Sequence, residues 1–381
     1  MKPLRRYLDK IKPHFKKGGK FEKFHSTFDA FETFLFVPDT VTRKGSHIRD
    51  ASDLKRTMSV VLIALSPALL FGMWNTGFQN AEALGITRTI LENFWVGLLQ
   101  TLPIIVVSYA VGLGIEFAVA QVRGHEVNEG FLVSGMLIPL IMPVTVPLWM
   151  VALATAFSVV FVKEIFGGTG MNIWNPALVA RAFLFFAYPT KMSGDQVWVA
   201  GVDGFSGATP LAEAAAGQPV TASMLEMFIG LIPGSIGETS TLALLIGAVI
   251  LLYAGVASFR IMLSVFAGGA VMGLLFNLWG ANPFMEQPFY FHFVAGGFAF
   301  GAIFMATDPV SGSRTATGKW IYGFLIGFIA VLIRVLNPSY PEGMMLAILL
   351  MNTFAPLIDY YVINANINRR LNRALVKEVV M

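Results

Sequence analysis

Thr209 closes the run Asp203-Gly-Phe-Ser206-Gly207-Ala208-Thr209, where a reactive hydroxyl follows a turn of small residues. Gly204 and Gly207 permit a close backbone approach, and Asp203 carries a charge that can position a cation or the hydroxyl. Strings of Ser, Gly, Ala and Thr are equally at home in ordinary loops. Two carboxylates, Glu116 and Asp359, lie in or near apolar stretches. An ionisable group inside a membrane costs at least about 2.5 kcal/mol, so each is a functional candidate by default. A carboxylate suits a hard cation, whereas an acid at a helix end can simply snorkel to the interface. Asn172 and Asn175 stand just ahead of Pro176 and can cap a broken helix. Gly112 and Gly114, in Val-Gly-Leu-Gly-Ile-Glu116, read first as a close helix contact. Gly167-Gly-Thr-Gly170 has no phosphate-loop spacing and reads as a turn. The five histidines are scattered without ligand spacing, and the absence of cysteine removes disulfides, iron–sulfur ligation and thiolate metal sites.

These residues need a scaffold built for lipid. Of 381 residues, 55% are hydrophobic and 13% charged, well below the ~25% charge of soluble domains. Apolar runs near 57–77, 94–118, 130–142, 146–165, 174–188, 241–258, 261–280, 291–306, 319–336 and 343–363 predict about ten transmembrane helices in an all-α polytopic protein. The third and fifth runs are short. Pro139, Pro143 and Pro147 punctuate one, and Asn172, Asn175 and Pro176 open the other. Broken spans at matching places in two halves mark an inverted-repeat transporter with a midplane site. Gly135-Met-Leu-Ile-Pro-Leu-Ile-Met-Pro-Val144 is echoed weakly by Gly301-Ala-Ile-Phe-Met-Ala-Thr-Asp-Pro-Val310. A five-plus-five division follows, with repeats at 57–188 and 241–363, an intervening loop at 189–240 and a basic tail at 364–381.

Residues 1–56 hold 14 Lys/Arg against 7 Asp/Glu and form a basic, water-facing segment too long for the lead of a secretory signal. The first span is expected to act as an uncleaved insertion signal. Phe21, Phe24, Phe28, Phe31 and Leu35 recur at helical spacing. They predict one apolar face, for the membrane interface, for a neighbouring subunit, or for an apolar tail such as a quinone's. With both termini in the cytoplasm, 23 Lys/Arg fall inside, Arg88, Lys191 and Arg334 outside, and Arg181 within a span. The positive-inside rule thus places loop 189–240, with Thr209, on the outer face.

Asp-x-x-Ser-Gly-Ala-Thr resembles the acceptor motif on which bacterial flavin transferases esterify FMN. The run from Asn172 to Pro189 (Asn-Ile-Trp-Asn-Pro-Ala-Leu-Val-Ala-Arg-Ala-Phe-Leu-Phe-Phe-Ala-Tyr-Pro), Asn128-Glu-Gly-Phe131, Thr307-Asp-Pro-Val310 and the basic N-segment extend the likeness over essentially the whole chain. The chain resembles the B-subunit family of the sodium-translocating NADH:quinone oxidoreductases, with the D subunits of the Rnf ferredoxin:NAD oxidoreductases as close kin. The resemblance implies covalent FMN on Thr209, assisted by Asp203 within the motif of Ser206, Gly207 and Ala208, with Trp198 beside the FMN ring unless it is a plain interfacial Trp. It implies non-covalent riboflavin at Asn172 and Asn175, whose amides donate and accept at once. It places Gly112 and Gly114 in the quinone region, although the family's glycines are adjacent and Leu113 separates these two. It puts Glu116 and Asp359 on the Na⁺ pathway.

The implied function is that of a translocase subunit in the bacterial inner membrane, with electrons passing from FMN to riboflavin to quinone as Na⁺ moves. The implied partners are an outer-face flavin subunit, small membrane subunits, an NADH-oxidising subunit and, during maturation, the flavin transferase. No dinucleotide fingerprint marks NADH oxidation on this chain, and nothing suggests nucleic acid. Two alternatives stand beside it: an Rnf-type D subunit, and a channel of the urea-transporter kind, whose fold the five-plus-five architecture resembles.

Overall fold

A chain this apolar has to satisfy its backbone internally, and helices do so within each segment. The computed structural model describes residues 2–16, 18–36, 42–48, 54–124, 130–202, 207–337 and 340–380, and every regular element among them is helical. Two short helices lead: α1 (Lys2–Ile11) and α2 (His25–Leu35). The first half continues with α3 (Leu54–Leu84), α4 (Ile90–Arg123), α5 (Phe131–Leu140), α6 (Leu148–Ser158) and α7 (Pro176–Ala187). The expected loop is not bare chain. It carries the short helices α8 (Pro189–Met192), α9 (Pro210–Ala215) and α10 (Met224–Ile229). The second half has α11 (Thr241–Tyr253), α12 (Phe259–Trp279), α13 (Phe291–Val294), α14 (Phe298–Phe300), α15 (Ala316–Leu336) and α16 (Met344–Val380).

All ten apolar segments fall on helix, but five helices are long and apolar enough to cross a membrane alone: α3, α4, α12, α15 and the Met344–Arg373 part of α16. The segment near 291–306 is broken into α13, α14 and a π-helical turn at Gly301–Met305. A second π-helical stretch, Val159–Glu164, extends α6. Wider helical turns of this kind are rare and gather at functional sites.

The local sequence explains the ends. Thr89 and Glu92 form a capping box at the start of α4, and Gly124 closes it in the left-handed region at φ 71°. Asn175 caps α7 with Pro176 in the first turn, the position where a missing N–H does no harm. Glycines bring the long helices together. A Cβ on Gly97 would stand 1.6 Å from the Met73 carbonyl oxygen, and one on Gly77 1.9 Å from that of Asn93. Gly268 and Gly327 play the same part between α12 and α15, against Phe324 and Val265.

The N-terminal apolar face differs from the expected single helix. Phe21 lies in a turn, Glu22–Phe24 is a 3₁₀ turn, and α2 begins only at His25. Phe28 alone of the five is buried, stacked on Phe15 at 4.5 Å between centroids. Phe31, largely exposed, meets Phe117 of α4 at 5.9 Å, and Phe21, Phe24 and Leu35 are exposed as well. Two cations of the charge count are not loop residues. Lys163 is buried in the π-helical stretch and Arg334 is wholly buried in α15. Without them the asymmetry stands at 22 against 2.

Gly97→Val forces the α3–α4 backbones apart and is expected to destabilise the fold by about 1–3 kcal/mol, as overpacking does. Gly114→Ala, with nothing within 4 Å of the new Cβ, should stay within about 0.5 kcal/mol. Detergent-induced unfolding of the two variants, followed by circular dichroism, checks both.

Candidate functional site

The broken segments of both halves meet at one cavity. Its volume is about 110 Å³, and it is partly open to solvent. Its apolar wall includes Met58, Val133, Leu137 and Phe304, and its polar wall includes Ser134, Lys163, Asn172, Asn175 and Asp308. The turn at 165–175 runs irregularly into the protein because Gly167, Gly168 and Gly170 take φ of 116°, 95° and 91°. Ser158 donates to the Pro176 carbonyl at 2.5 Å and fixes where α7 begins.

The two asparagines serve the backbone and still leave groups for a ligand. Asn175 Oδ1 accepts from the N–H groups of Ala177 at 3.0 Å and Leu178 at 3.4 Å. Asn172 Nδ2 donates to the Trp174 carbonyl at 2.9 Å. Asn172 Oδ1 and Asn175 Nδ2 have no hydrogen-bond partner among the described residues, so the cavity wall offers one acceptor and one donor. Capping and ligand binding are therefore compatible. Asn352, which sequence reasoning missed, ties α16 to this point. With its amide oxygen toward Asn175 it accepts that residue's backbone N–H at 3.2 Å, and it donates to Tyr322 Oη at 2.7 Å.

Glu116 does not snorkel. It is 5% exposed and pairs with Lys163, itself 3% exposed, in the π-helical stretch. Lys163 also stands 5.8 Å from the Phe131 ring centroid. Gly112 makes room for that ring, since a Cβ there would collide with it at 1.8 Å. Gly114 faces open space, so the two glycines do not form one contact. Asp359 belongs to another environment. It accepts from Ser313 Oγ (2.7 Å), the N–H groups of Arg314 (2.8 Å) and Thr315 (3.0 Å), and Thr315 Oγ1 (2.6 Å). Asp359 thus holds the turn that starts α15.

Thr209 sits at the start of α9, where its Oγ1 accepts from the Ala212 N–H at 3.2 Å and Pro210 fills the first helical position. Asp203 and Ser206 lie outside the described residues, as does Asn128. Gly207 donates its N–H to the Asp195 carbonyl at 2.9 Å. Trp198 is 8% exposed and packed within the protein. Thr145 Oγ1 donates to the neighbouring Val197 carbonyl at 2.8 Å and ties this stretch to the first half. In the same loop Glu226 completes a capping box with Ser223, and the hydrogen bonds from Ser223 hold its carboxyl below the ordinary range.

A second charged centre, also missed, surrounds Arg181. This buried side chain donates to the Ile141 carbonyl, to Ser235 Oγ at 3.3 Å, to Glu238 at 3.1 Å and to both oxygens of Glu342. Arg334 reinforces it by donating to the backbone carbonyls of Glu342 at 2.9 Å and His292 at 2.7 Å. The only signal in the sequence is an arginine inside an apolar run, which in lipid demands partners.

The family model described as NQR2, RnfD, RnfE matches residues 41–368. The B subunit of the Na(+)-translocating NADH-quinone reductase of Stutzerimonas stutzeri (strain A1501) is 51% identical over 400 residues, covering 97% of this chain and 99% of that protein. The proteins of the same name from Chromohalobacter salexigens and Azotobacter vinelandii (strain DJ) are each 50% identical, covering 97% of this chain and 96% and 99% of their own lengths.

Arg181→Ala would strand the Glu238 and Glu342 carboxylates, and breaking a buried pair this way costs about 3–5 kcal/mol. The expected result is little folded protein after detergent extraction. Arg181→Lys should rescue it only in part, because an ammonium lacks the planar fork; size-exclusion recovery of the two variants measures the difference.

Proposed function

The chain belongs to the NQR2, RnfD, RnfE family, and from that premise we propose that it is the membrane-embedded B subunit of a sodium-translocating NADH:quinone oxidoreductase. The 51% identity across 97% of the chain to a protein of that name carries this assignment. That likeness runs over nearly the full length, basic N-segment included, and favours the assignment over the Rnf D subunit.

In this role ten helices cross the bacterial inner membrane as two five-helix repeats, 57–188 and 241–363, in the manner of urea transporters. Both termini are cytoplasmic and loop 189–240 faces outward. The asymmetry of Lys and Arg supports that orientation. NADH is oxidised on another subunit, and the electrons reach this chain through an outer-face flavin subunit.

When bound, FMN and riboflavin supply the electron relay to quinone. This chain's residues hold and tune them. Thr209 Oγ1 carries the FMN phosphate ester, with Asp203, Ser206, Gly207 and Ala208 presenting the hydroxyl to the transferase and Trp198 nearby. Asn172 Oδ1 and Asn175 Nδ2 meet the polar edge of riboflavin, and the apolar wall of the cavity takes its ring system. The cavity fits such a group, since an unpaired acceptor and donor stand beside aliphatic walls. Gly112 and Gly114 lie in the quinone region. Glu116 and Asp359 serve Na⁺. Among the described residues Glu116 accepts from Lys163 alone, whereas the four donors around Asp359 suit a positioning role.

Denaturing electrophoresis of the purified complex should show flavin fluorescence on this chain's band. Mass spectrometry should find one FMN on the peptide containing Thr209. Thr209→Val should abolish both while leaving non-covalent riboflavin in place. A band without flavin would leave a channel-type protein as the better description.

A further inference from the structure

Lys163 occupies an unusual position. Its ammonium pairs with Glu116, yet the same side chain lines the cavity that contains Asn172, Asn175 and Asp308. Beside it stands Glu164, 6% exposed, whose Oε2 has no hydrogen-bond partner. Arg123 Nη1 stands 3.8 Å from that oxygen and spends a closer hydrogen bond, 3.0 Å, on the Glu164 backbone carbonyl. On α4 the buried Glu116 carboxylate thus has the buried Lys163 ammonium as its one hydrogen-bond partner among the described residues, while the Glu164 carboxylate stands toward Arg123. Phe131 closes the other side.

A single buried carboxylate of this kind holds one cation well and two badly. In a medium of low dielectric constant a second positive charge at the same oxygens meets strong repulsion from the first. It also finds too few lone pairs for its own shell. Na⁺ and the Lys163 ammonium therefore compete for the same place. Lysine suits such a contest, being a point charge on a flexible four-carbon stem. The cavity beside it, which Asn172 and Asp308 also line, gives the displaced ammonium somewhere to go.

We propose that Lys163 is a tethered competitor of Na⁺ at Glu116, and that Na⁺ enters this site only as the ammonium withdraws into the adjacent cavity. This rests on the reading that Glu116 belongs to the Na⁺ pathway. No covalent bond forms or breaks and no proton moves. One cation replaces another, and the site's charge is conserved. Lys163 is thus a positioning residue that sets the Na⁺ concentration at which the pathway fills.

The whole assembled complex tests this by ²²Na⁺ equilibrium binding and by the Na⁺ dependence of quinone reduction. Lys163→Ala is expected to lower the half-saturating Na⁺ concentration about tenfold, a typical coupling between linked sites. Ethylammonium added to that variant should fill the vacated space and restore weak Na⁺ binding, while leaving the unaltered complex indifferent. A residue with a merely structural part in the fold would show no such rescue. Lys163→Arg, which keeps the charge where a small side chain prevents assembly, should grip Glu116 through two N–H groups and raise the half-saturating concentration at least about threefold. Unchanged Na⁺ affinity in the assembled variants overturns the proposal. If Glu116→Gln also leaves the Na⁺ dependence untouched, the pathway reading falls as well; if Glu116→Gln abolishes it, the competition alone is wrong.

Discussion

Everything in this fold answers to the scarcity of hydrogen-bonding solvent around it. A polar group buried in an apolar surround without a partner costs several kcal/mol, and a charge costs more. Unbroken helices meet that demand for the backbone, as α3, α4, α12 and α15 do. The broken segments cannot, so side chains are recruited to finish them. Asn175 completes α7, Asp359 completes the turn before α15, and Ser158 holds the Pro176 carbonyl. The interruptions free backbone and side-chain groups at depth, and the cavity lies where those interruptions meet.

Helix contact in lipid cannot lean on hydrophobic exclusion, because lipid tails are as apolar as leucine. Close approach through glycine takes its place. Gly77 and Gly97 seat α3 on α4, and Gly268 and Gly327 seat α12 on α15, with carbonyl oxygens where a Cβ would stand. Two rigid helix pairs result, one in each half. Among the irregular parts, α5 and α6 pack against α4, and α13 and the Gly301–Met305 turn pack against α12. Rigid pairs beside interrupted segments give a scaffold in which a site can be shaped without loosening the whole.

Much of this is legible in the sequence because hydropathy is a strong signal. The ten apolar runs fall on helix, and Asn172, Asn175 and Pro176 mark the broken segment correctly. Partnerships are not legible. Glu116 gives no hint that its partner lies 47 residues on, because Lys163 at the end of an apolar run looks like a positive-inside anchor. A π-helical turn leaves no pattern that separates it from α-helix, and it is this turn that carries Lys163 into the interior. Arg181, Glu238 and Glu342 are separated by 57 and 161 residues from the arginine outward, so only the folded chain joins them. At the N-terminus the spacing of Phe21 to Leu35 suggests one helix, whereas Phe21 lies in a turn, Glu22–Phe24 is a 3₁₀ turn and α2 begins only at His25. Periodicity survives such a break, and so it cannot reveal one.

The two buried cations of the first half face opposite tasks, and their chemistry separates them. Arg181 spreads its planar fork over a backbone carbonyl, a serine and two carboxylates that come from different parts of the chain. Releasing any one of these leaves the others bound, and no foreign cation could match the geometry. It is a clasp between the halves. Lys163 has one carboxylate bond, an aromatic face and a cavity beside it. Its loss from Glu116 exposes a single carboxylate, which a monovalent ion can take up at no change in net charge. A guanidinium fits the place that must never open, and an ammonium fits the place where one positive charge has to make way for another.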